Sequence, residues 1–256
     1  MIKATFAFLD TGRRPGQWNM DFDVRRAEML DRGECLPTVR VYGWDPWCIS
    51  LGRNQNPEDI DAEACRKDGI DIVTRPTGGR AILHAQEVTY SVIMPAEDRG
   101  IMEVYQHISA ALVDGLRELA GDLTWSKTRP DFTRLYREPG GISCFASSAR
   151  YEIEFNGRKL VGSAQRRIGN VVLQHGSILL DDAHLQLTRY LRIDSDARDL
   201  VRRDLEAHTI TLRKILGRAV FPEEVRTCLR KGFSRAWNVE FIEEILNETT
   251  VSQREV

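Results

Sequence analysis

The dipeptide Asn156-Gly157 constrains this chain more than any other feature of its sequence. It separates two extended patterns, residues 151–155 (YEIEF) and 158–167 (RKLVGSAQRR). Asn-Gly is the pair that a two-residue type I′ turn demands, because both central residues must take positive φ. Gly169-Asn170 then precedes a third extended run, residues 171–180. Three consecutive strands in an antiparallel meander are therefore predicted.

Upstream, residues 38–42 (TVRVY), 48–51, 70–73 and 88–94 (VTYSVIM) read as strands from their β-branched content. Residues 61–68 read as a short helix. Residues 103–119 place Val104, Ile108, Ala111, Leu112, Leu116 and Leu119 on one helical stripe. Residues 124–141 have no period and read as a loop. From Asp182 the chain reads as helices over 182–192, 211–216 and 222–236, with Pro222 at a first helical position. The charge-dense stretch 194–203 reads as a surface connection. Strands and helices do not alternate regularly, so the expected class is α+β: a mixed, largely antiparallel sheet flanked by helices. One catalytic domain over residues 1–256 is expected, with the helical segment of about 182–256 packed on it.

Charge and composition remove several function classes. Lys plus Arg is 36 and Asp plus Glu is 38, a formal net charge of −2. A protein that binds nucleic acid electrostatically carries a basic excess, so no nucleic-acid partner is expected. No apolar run approaches the ~20 residues of a membrane span, and the first residues do not read as a secretory signal, so no membrane partner and a cytoplasmic location are expected. The five cysteines are widely spaced and contain no C-x-x-C pair, which argues against a disulfide framework and against a structural metal. No metal and no cofactor are expected.

Three places carry candidate chemistry. The loop Arg75-Pro-Thr77-Gly78-Gly79-Arg80, with His84 beyond it, suits an anion or a carbonyl oxygen acquiring charge. A tight turn with solvated arginines is the plain alternative. Cys144 follows Gly140-Gly141, and its thiol becomes a nucleophile if a nearby cation favours the thiolate. A small buried apolar side chain is the alternative there. On residues 158–167, a period of two puts Lys159, Val161, Ser163 and Gln165 on one face, and Gly162 marks a close backbone approach. His175 adds a titratable group on the following strand.

Taken together, these segments resemble the lipoate–biotin protein ligase superfamily, most closely its cysteine-dependent octanoyltransferases. The matching blocks are Asn19-Met20, Val41-Tyr-Gly-Trp44 with Ser50-Leu-Gly-Arg53, Arg75 to His84 running on to Glu87–Val92, Cys144-Phe145, and Tyr151-Glu152 through Gly157–Gln165 to Leu173–Ile178. The resemblance implies a biotin/lipoate protein ligase catalytic-domain fold. It implies that Cys144 carries an acyl thioester and that Lys159 lowers its pKa. It makes Arg75, Thr77, Gly78, Gly79, Arg80, His84, Gly162, Ser163, Ala164, Gln165 and His175 the substrate-binding set. The implied reaction moves an octanoyl group from acyl carrier protein to a lysine of a lipoyl domain such as glycine cleavage protein H, in lipoate biosynthesis, without ATP.

Asp21 and Val24 depart from the family pattern in the Asn-Met block. Trp47 stands beside the expected pocket edge and implies a shortened acyl tunnel. Three other activities fit the same segments less well. An ATP-dependent lipoate–protein ligase leaves Cys144 without a task. A lipoyl or octanoyl amidotransferase shares the nucleophile but changes the donor. A non-catalytic acyl-binding regulator lacks a DNA-reading element.

Overall fold

A computed structural model describes residues 3–125 and 152–244. Cys144 and Tyr151 lie outside the described residues, as does most of the stretch expected to be a loop. The strands are β1 (Ala4–Arg14), β2 (Thr38–Trp44), β3 (Cys48–Leu51), β4 (Asp71–Thr74), β5 (Ile82–His84), β6 (Glu87–Pro95), β7 (Thr124–Trp125), β8 (Ile153–Phe155), β9 (Arg158–Ile168), β10 (Val171–Leu179) and β11 (Val239–Ile242). The α-helices are α1 (Gly16–Asp31), α2 (Ala62–Lys67), α3 (Ile101–Leu116), α4 (Ser195–His208), α5 (Leu212–Leu216) and α6 (Pro222–Trp237). Two 3₁₀ segments, Pro57–Asp59 and Asp182–Tyr190, complete the set among the described residues.

Eight strands form one sheet in the order β11-β1-β2-β6-β10-β9-β8-β7, and β4-β3-β5 form a second. Only β1 pairs in parallel within the large sheet, with β11 and with β2. The rest is antiparallel, so the mixed, largely antiparallel α+β expectation describes the molecule. The meander forms as the sequence predicts. Asn156 (φ 50°) and Gly157 (φ 73°) make the turn with the positive φ values a type I′ turn requires.

The large sheet has two chemically different faces. On one, Val88, Tyr90, Val92, Val161, Val172 and Ile178 join Val104, Ile108 and Leu112 of α3 and Val225, Leu229 and Phe233 of α6 in the main core. Each such side chain, fully buried, contributes roughly 1.5–3 kcal/mol. The other face carries the polar half of the same strands. Arg40, Thr89, Ser91, His175 and Ser177 are all buried there, beneath α1 and the small sheet. The small sheet has its own core of Ile49, Leu51, Ile82 and Leu83 with Leu185, Leu187 and Leu205.

Several elements differ from the sequence expectation. Residues 194–203 are not a surface connection but most of α4, started by the Asp194 carboxylate accepting from Ala197 N at 2.8 Å. The segment after Asp182 is 3₁₀ rather than α-helical. The strands β1 and β11 and the helix α1 have no counterpart in the sequence reading. In α1 the buried positions Gly16, Asn19, Met20, Phe22, Asp23, Arg26 and Ala27 do follow helical spacing, but three of the seven are polar. The Arg40–Asp23 ion pair at 2.7 Å, with both side chains fully buried, satisfies that polar face in place of an apolar stripe.

Candidate active site

A one-residue irregularity in β9 decides which way its lysine faces. Ile153 pairs with Val161, whereas Glu154 pairs with Lys159, so Leu160 is an extra residue on β9. Leu160 and Val161 both enter the main core with Ile153. Lys159 is thereby turned to the opposite face of the sheet, the face of Gly162 and Ala164. The expected grouping of Lys159 with Val161, Ser163 and Gln165 fails for this reason: the bulge breaks the period of two.

The Lys159 ammonium pairs with the Glu152 carboxylate at 2.6 Å, and both side chains are nearly fully buried. Glu152 had no role in the sequence reading. Lys159 is further anchored through its carbonyl, which accepts from Ile210 N at 3.0 Å.

Gly162 and Ala164 sit opposite Ser177 and His175 of β10. Together they floor a narrow cavity also lined by Met20, Tyr42, Trp44, Ser50, Arg75, Ile82, His84, Thr89, Ser163 and Gly176. The mixture of apolar walls and a few fixed polar groups is that of a small-molecule site. Ser163 borders the cavity, but its hydroxyl lies 2.7 Å from Tyr90 Oη on the core side. Gln165 pairs with Gln174 on that same side, does not line the cavity, and its buried amide atoms have no hydrogen-bond partner among the described residues.

The glycine loop is held from within. The Arg75 guanidinium donates to Ser50 O at 2.9 Å, Gly78 O at 2.9 Å and Arg80 O at 2.7 Å. Arg166 donates to Pro76 O at 3.1 Å. Arg75 and Arg80 are buried, not solvated. Arg75 thus works as the scaffold of the loop, spending donors on carbonyls that would otherwise go unpaired. Gly79 packs against Gly52 so closely that a Cβ on Gly52 would lie 1.9 Å from Gly79 O, which explains the glycine in Ser50-Leu-Gly-Arg53.

Two carboxylate–histidine–hydroxyl arrays flank the cavity. In the first, His84 Nδ1 lies 2.8 Å from Glu87 Oε1 and His84 Nε2 lies 2.7 Å from Ser50 Oγ. Glu87 Oε1 also accepts from Thr89 Oγ1 at 2.6 Å and Ser177 Oγ at 2.9 Å. Burial pushes the Glu87 carboxyl upward, but the charge and hydrogen bonds of His84, Thr89 and Ser177 outweigh it and hold the group below the usual carboxylate range. In the second, Thr77 Oγ1 lies 2.6 Å from His175 Nε2, and His175 Nδ1 lies 3.6 Å from Asp23 Oδ2. That last contact is an ion-pair distance rather than a hydrogen bond. Burial also raises Asp23, and Arg40 with His175 more than reverses it. Burial lowers His175 below the ordinary histidine value despite the Asp23 carboxylate.

The described part of the expected binding set therefore divides. Arg75, His84, Gly162, Ser163, Ala164 and His175 meet at the cavity. Thr77 stands behind His175, and Gly78, Gly79 and Arg80 belong to the loop that Arg75 closes. Asp23 was not named by the sequence reading, and Trp44, Ser50, Glu87 and Ser177 fell within the matching blocks without being given a role. The alternation Glu87-Val-Thr-Tyr-Ser-Val92 carried the signal for a polar sheet face. Trp47 lines a groove on the far side of Trp44 and not the cavity, so the narrowing expected from it is absent there.

Comparisons with known proteins give the family and the fold. The family model "Lipoyl protein ligase A/B catalytic domain" matches residues 15–234. The chain is 42% identical over 238 residues to the octanoyltransferase LipM of Kyrpidia tusciae, covering 91% of this chain and 87% of that one. It is 40% identical over 251 residues to the octanoyltransferase LipM of Moorella thermoacetica, covering 94% and 90%. Among solved structures, lipoate-protein ligase A bound with ATP superposes with a TM-score of 0.76 at 21% identity, covering 97% of this chain and 91% of that one. A bipartite lipoate protein ligase from Thermoplasma acidophilum gives 0.75 at 22% identity, covering 98% and 89%. Those two likenesses establish the lipoate-ligase catalytic fold. By matched length and by identity to its relatives, the chain belongs to the lipoyl protein ligase A/B catalytic domain family of enzymes.

Proposed function

We propose that this protein is an octanoyltransferase of lipoate biosynthesis, moving an octanoyl group from acyl carrier protein to a lysine of a lipoyl domain of the glycine cleavage protein H type. The observation that carries the reading is the near full-length identity to proteins named octanoyltransferase LipM. The buried lysine on the cavity face of β9 supports it. The Cys144 thiolate attacks the donor thioester; the carrier's thiol leaves and takes a proton, and the acyl group stays on sulfur. The neutral amine of the acceptor lysine then attacks this second thioester. Its proton passes to the departing Cys144 sulfur, and an amide forms. One thioester is exchanged for another and then for an amide, so the sequence needs no ATP and no cofactor.

Lys159 serves as the cation that stabilises the Cys144 thiolate. Arg75, Thr77, Gly78, Gly79, Arg80, His84 and His175 shape and hold the acyl site with Gly162, Ser163 and Ala164. Backbone N–H groups of the glycine loops meet the negative charge that develops on the acyl oxygen. The whole chain acts as one catalytic unit in the cytoplasm.

The test is mass spectrometry after mixing the protein with octanoyl-acyl carrier protein in the absence of ATP. A hydroxylamine-sensitive octanoyl adduct on Cys144, chased to the amide by added lipoyl domain, is the expected result. An adduct that needs ATP, or none at Cys144, overturns the reading in favour of a ligase.

A further inference from the structure

We propose that Thr209 is a positioning residue for Lys159: it holds the chain after α4 in place as the strand neighbour that β9 otherwise lacks at the lysine, an inference that rests on the role assigned to Lys159. The pairing of β9 with β10 runs from Ile168 to Val161 and stops there, opposite Ile178. Continued regularly, it would set Lys159 against Leu180, but Leu180 N turns away to Gln86 O at 3.0 Å. The chain between α4 and α5 fills the gap. Thr209 forms a parallel bridge with Lys159, and Ile210 N donates to Lys159 O at 3.0 Å. A little further on, Arg213 N donates to Leu180 O at 3.1 Å. One short segment thus closes on the end of both strands.

Lys159 needs this neighbour because the other side of β9 is irregular at the same place. Leu160 is the extra residue of the bulge, and a bulge interrupts the ladder that fixes the direction of the backbone. Glu154 faces Lys159 directly beside that break. A long side chain magnifies any rotation of the backbone that carries it, and a misplacement of ~1 Å can slow a reaction ~100-fold.

The Thr209 hydroxyl is what anchors the segment. It donates to Leu205 O at 2.7 Å and lies 2.8 Å from His184 Nε2, so it ties the end of α4 to the 3₁₀ segment 182–190. The backbone N–H of Thr209 already closes α4 onto Leu205 O at 3.0 Å, so the hydroxyl is an added hold. Arg158, next to the lysine, donates to Glu206 O at 2.8 Å and makes a second tie between β9 and α4. Thr209 and Ile210 are both buried, out of reach of competing water.

Acetylation of lysines by acetic anhydride, mapped by mass spectrometry on the folded protein, tests this without requiring turnover. Thr209→Val keeps the shape of the side chain and removes the hydroxyl. Lys159 in that variant is expected to be acetylated at least about tenfold faster than in wild type, and octanoyl transfer to slow about tenfold with the acceptor KM unchanged. Thr209→Ser retains the hydroxyl and keeps both rates within about twofold of wild type. Cys48, buried in a separate cluster, stays as unreactive to iodoacetamide as in wild type, which separates local loosening from global loosening. Wild-type labelling of Lys159 in folded Thr209→Val, or Lys159 and Cys48 opening together, overturns the inference. Where Thr209→Val does not fold, hydrogen exchange in the wild type decides. The Ile210 amide is expected to exchange at least about a hundredfold more slowly than a free peptide, and an unprotected Ile210 amide overturns the inference. A wild type that transfers no octanoyl removes the transferase reading, while the labelling pattern still decides the role of Thr209.

Discussion

The Lys159 ammonium lies 2.6 Å from the Glu152 carboxylate, with side-chain exposures of 1% and 3%. Both groups give up hydration, and their mutual attraction is what offsets that loss. A buried pair of this kind is poor value for stability alone, since apolar residues of similar size can replace it at little net cost. The pair is therefore better understood as the means of keeping a charged ammonium on the cavity face.

The substitutions Lys159→Met and Glu152→Gln, made singly, should each lower stability by about 3 kcal/mol in urea denaturation. The double variant Glu152→Met with Lys159→Met should regain most of that. It should still transfer octanoyl at least about a hundredfold more slowly than wild type, and its Cys144 should be alkylated with a raised apparent pKa. A double variant that recovers both stability and transfer would sink the assigned role of Lys159.

A second prediction concerns Gly52. A methyl group there would sit 1.9 Å from Gly79 O, a backbone atom that cannot rotate away. Gly52→Ala should displace the glycine loop and cost about 1–3 kcal/mol of stability. Because the loop borders the cavity through Arg75, octanoate affinity should fall as well. Wild-type affinity and stability in this variant would show that the two backbones can separate freely.

The pH dependence of stability should carry the signature of His184. Its Nε2 lies 2.8 Å from Thr209 Oγ1, and burial pulls its pKa down to about 4, against an ordinary value of about 6.5. The unfolded chain then binds the extra proton more readily between those two values. Stability is therefore complete above about pH 6.5 and declines as the pH falls toward 4, by roughly 3 kcal/mol in all. His184→Gln, which cannot take up the proton, should flatten that decline in acid denaturation. An unaltered acid limb in this variant would assign the loss to other groups.

How much of this molecule the sequence discloses depends on what each element buries. The meander was legible because Asn156-Gly157 and the β-branched runs state their conformation locally. Helix α3 was legible because its buried face is apolar apart from Ser109. Helix α1 was not, because Asn19, Asp23 and Arg26 face inward and find partners such as Arg40 and Thr38 on the neighbouring strand β2. Helix α4 buries only Val201 and Leu205, so its charges dominated the reading. At the site, Arg75, His84 and His175 could be singled out by residue type. The counterparts Asp23, Glu87 and Ser177 could not, since a polar residue on a strand declares its partner only when the register is known.

The extra residue at Leu160 has a consequence for the way such a site changes. Side chains along a strand alternate between odd and even positions, and one insertion exchanges the two sets from that point on. Deleting Leu160 would restore regular pairing and leave Lys159 opposite Glu154, whereas drawing Leu160 into a regular strand would carry the Lys159 ammonium through the sheet into the hydrocarbon layer beneath α3 and α6. The face on which this lysine emerges thus depends on how the strand absorbs one extra residue: looped out, Leu160 leaves the ammonium on the polar side of the sheet, and straightened it would bury it among hydrocarbon.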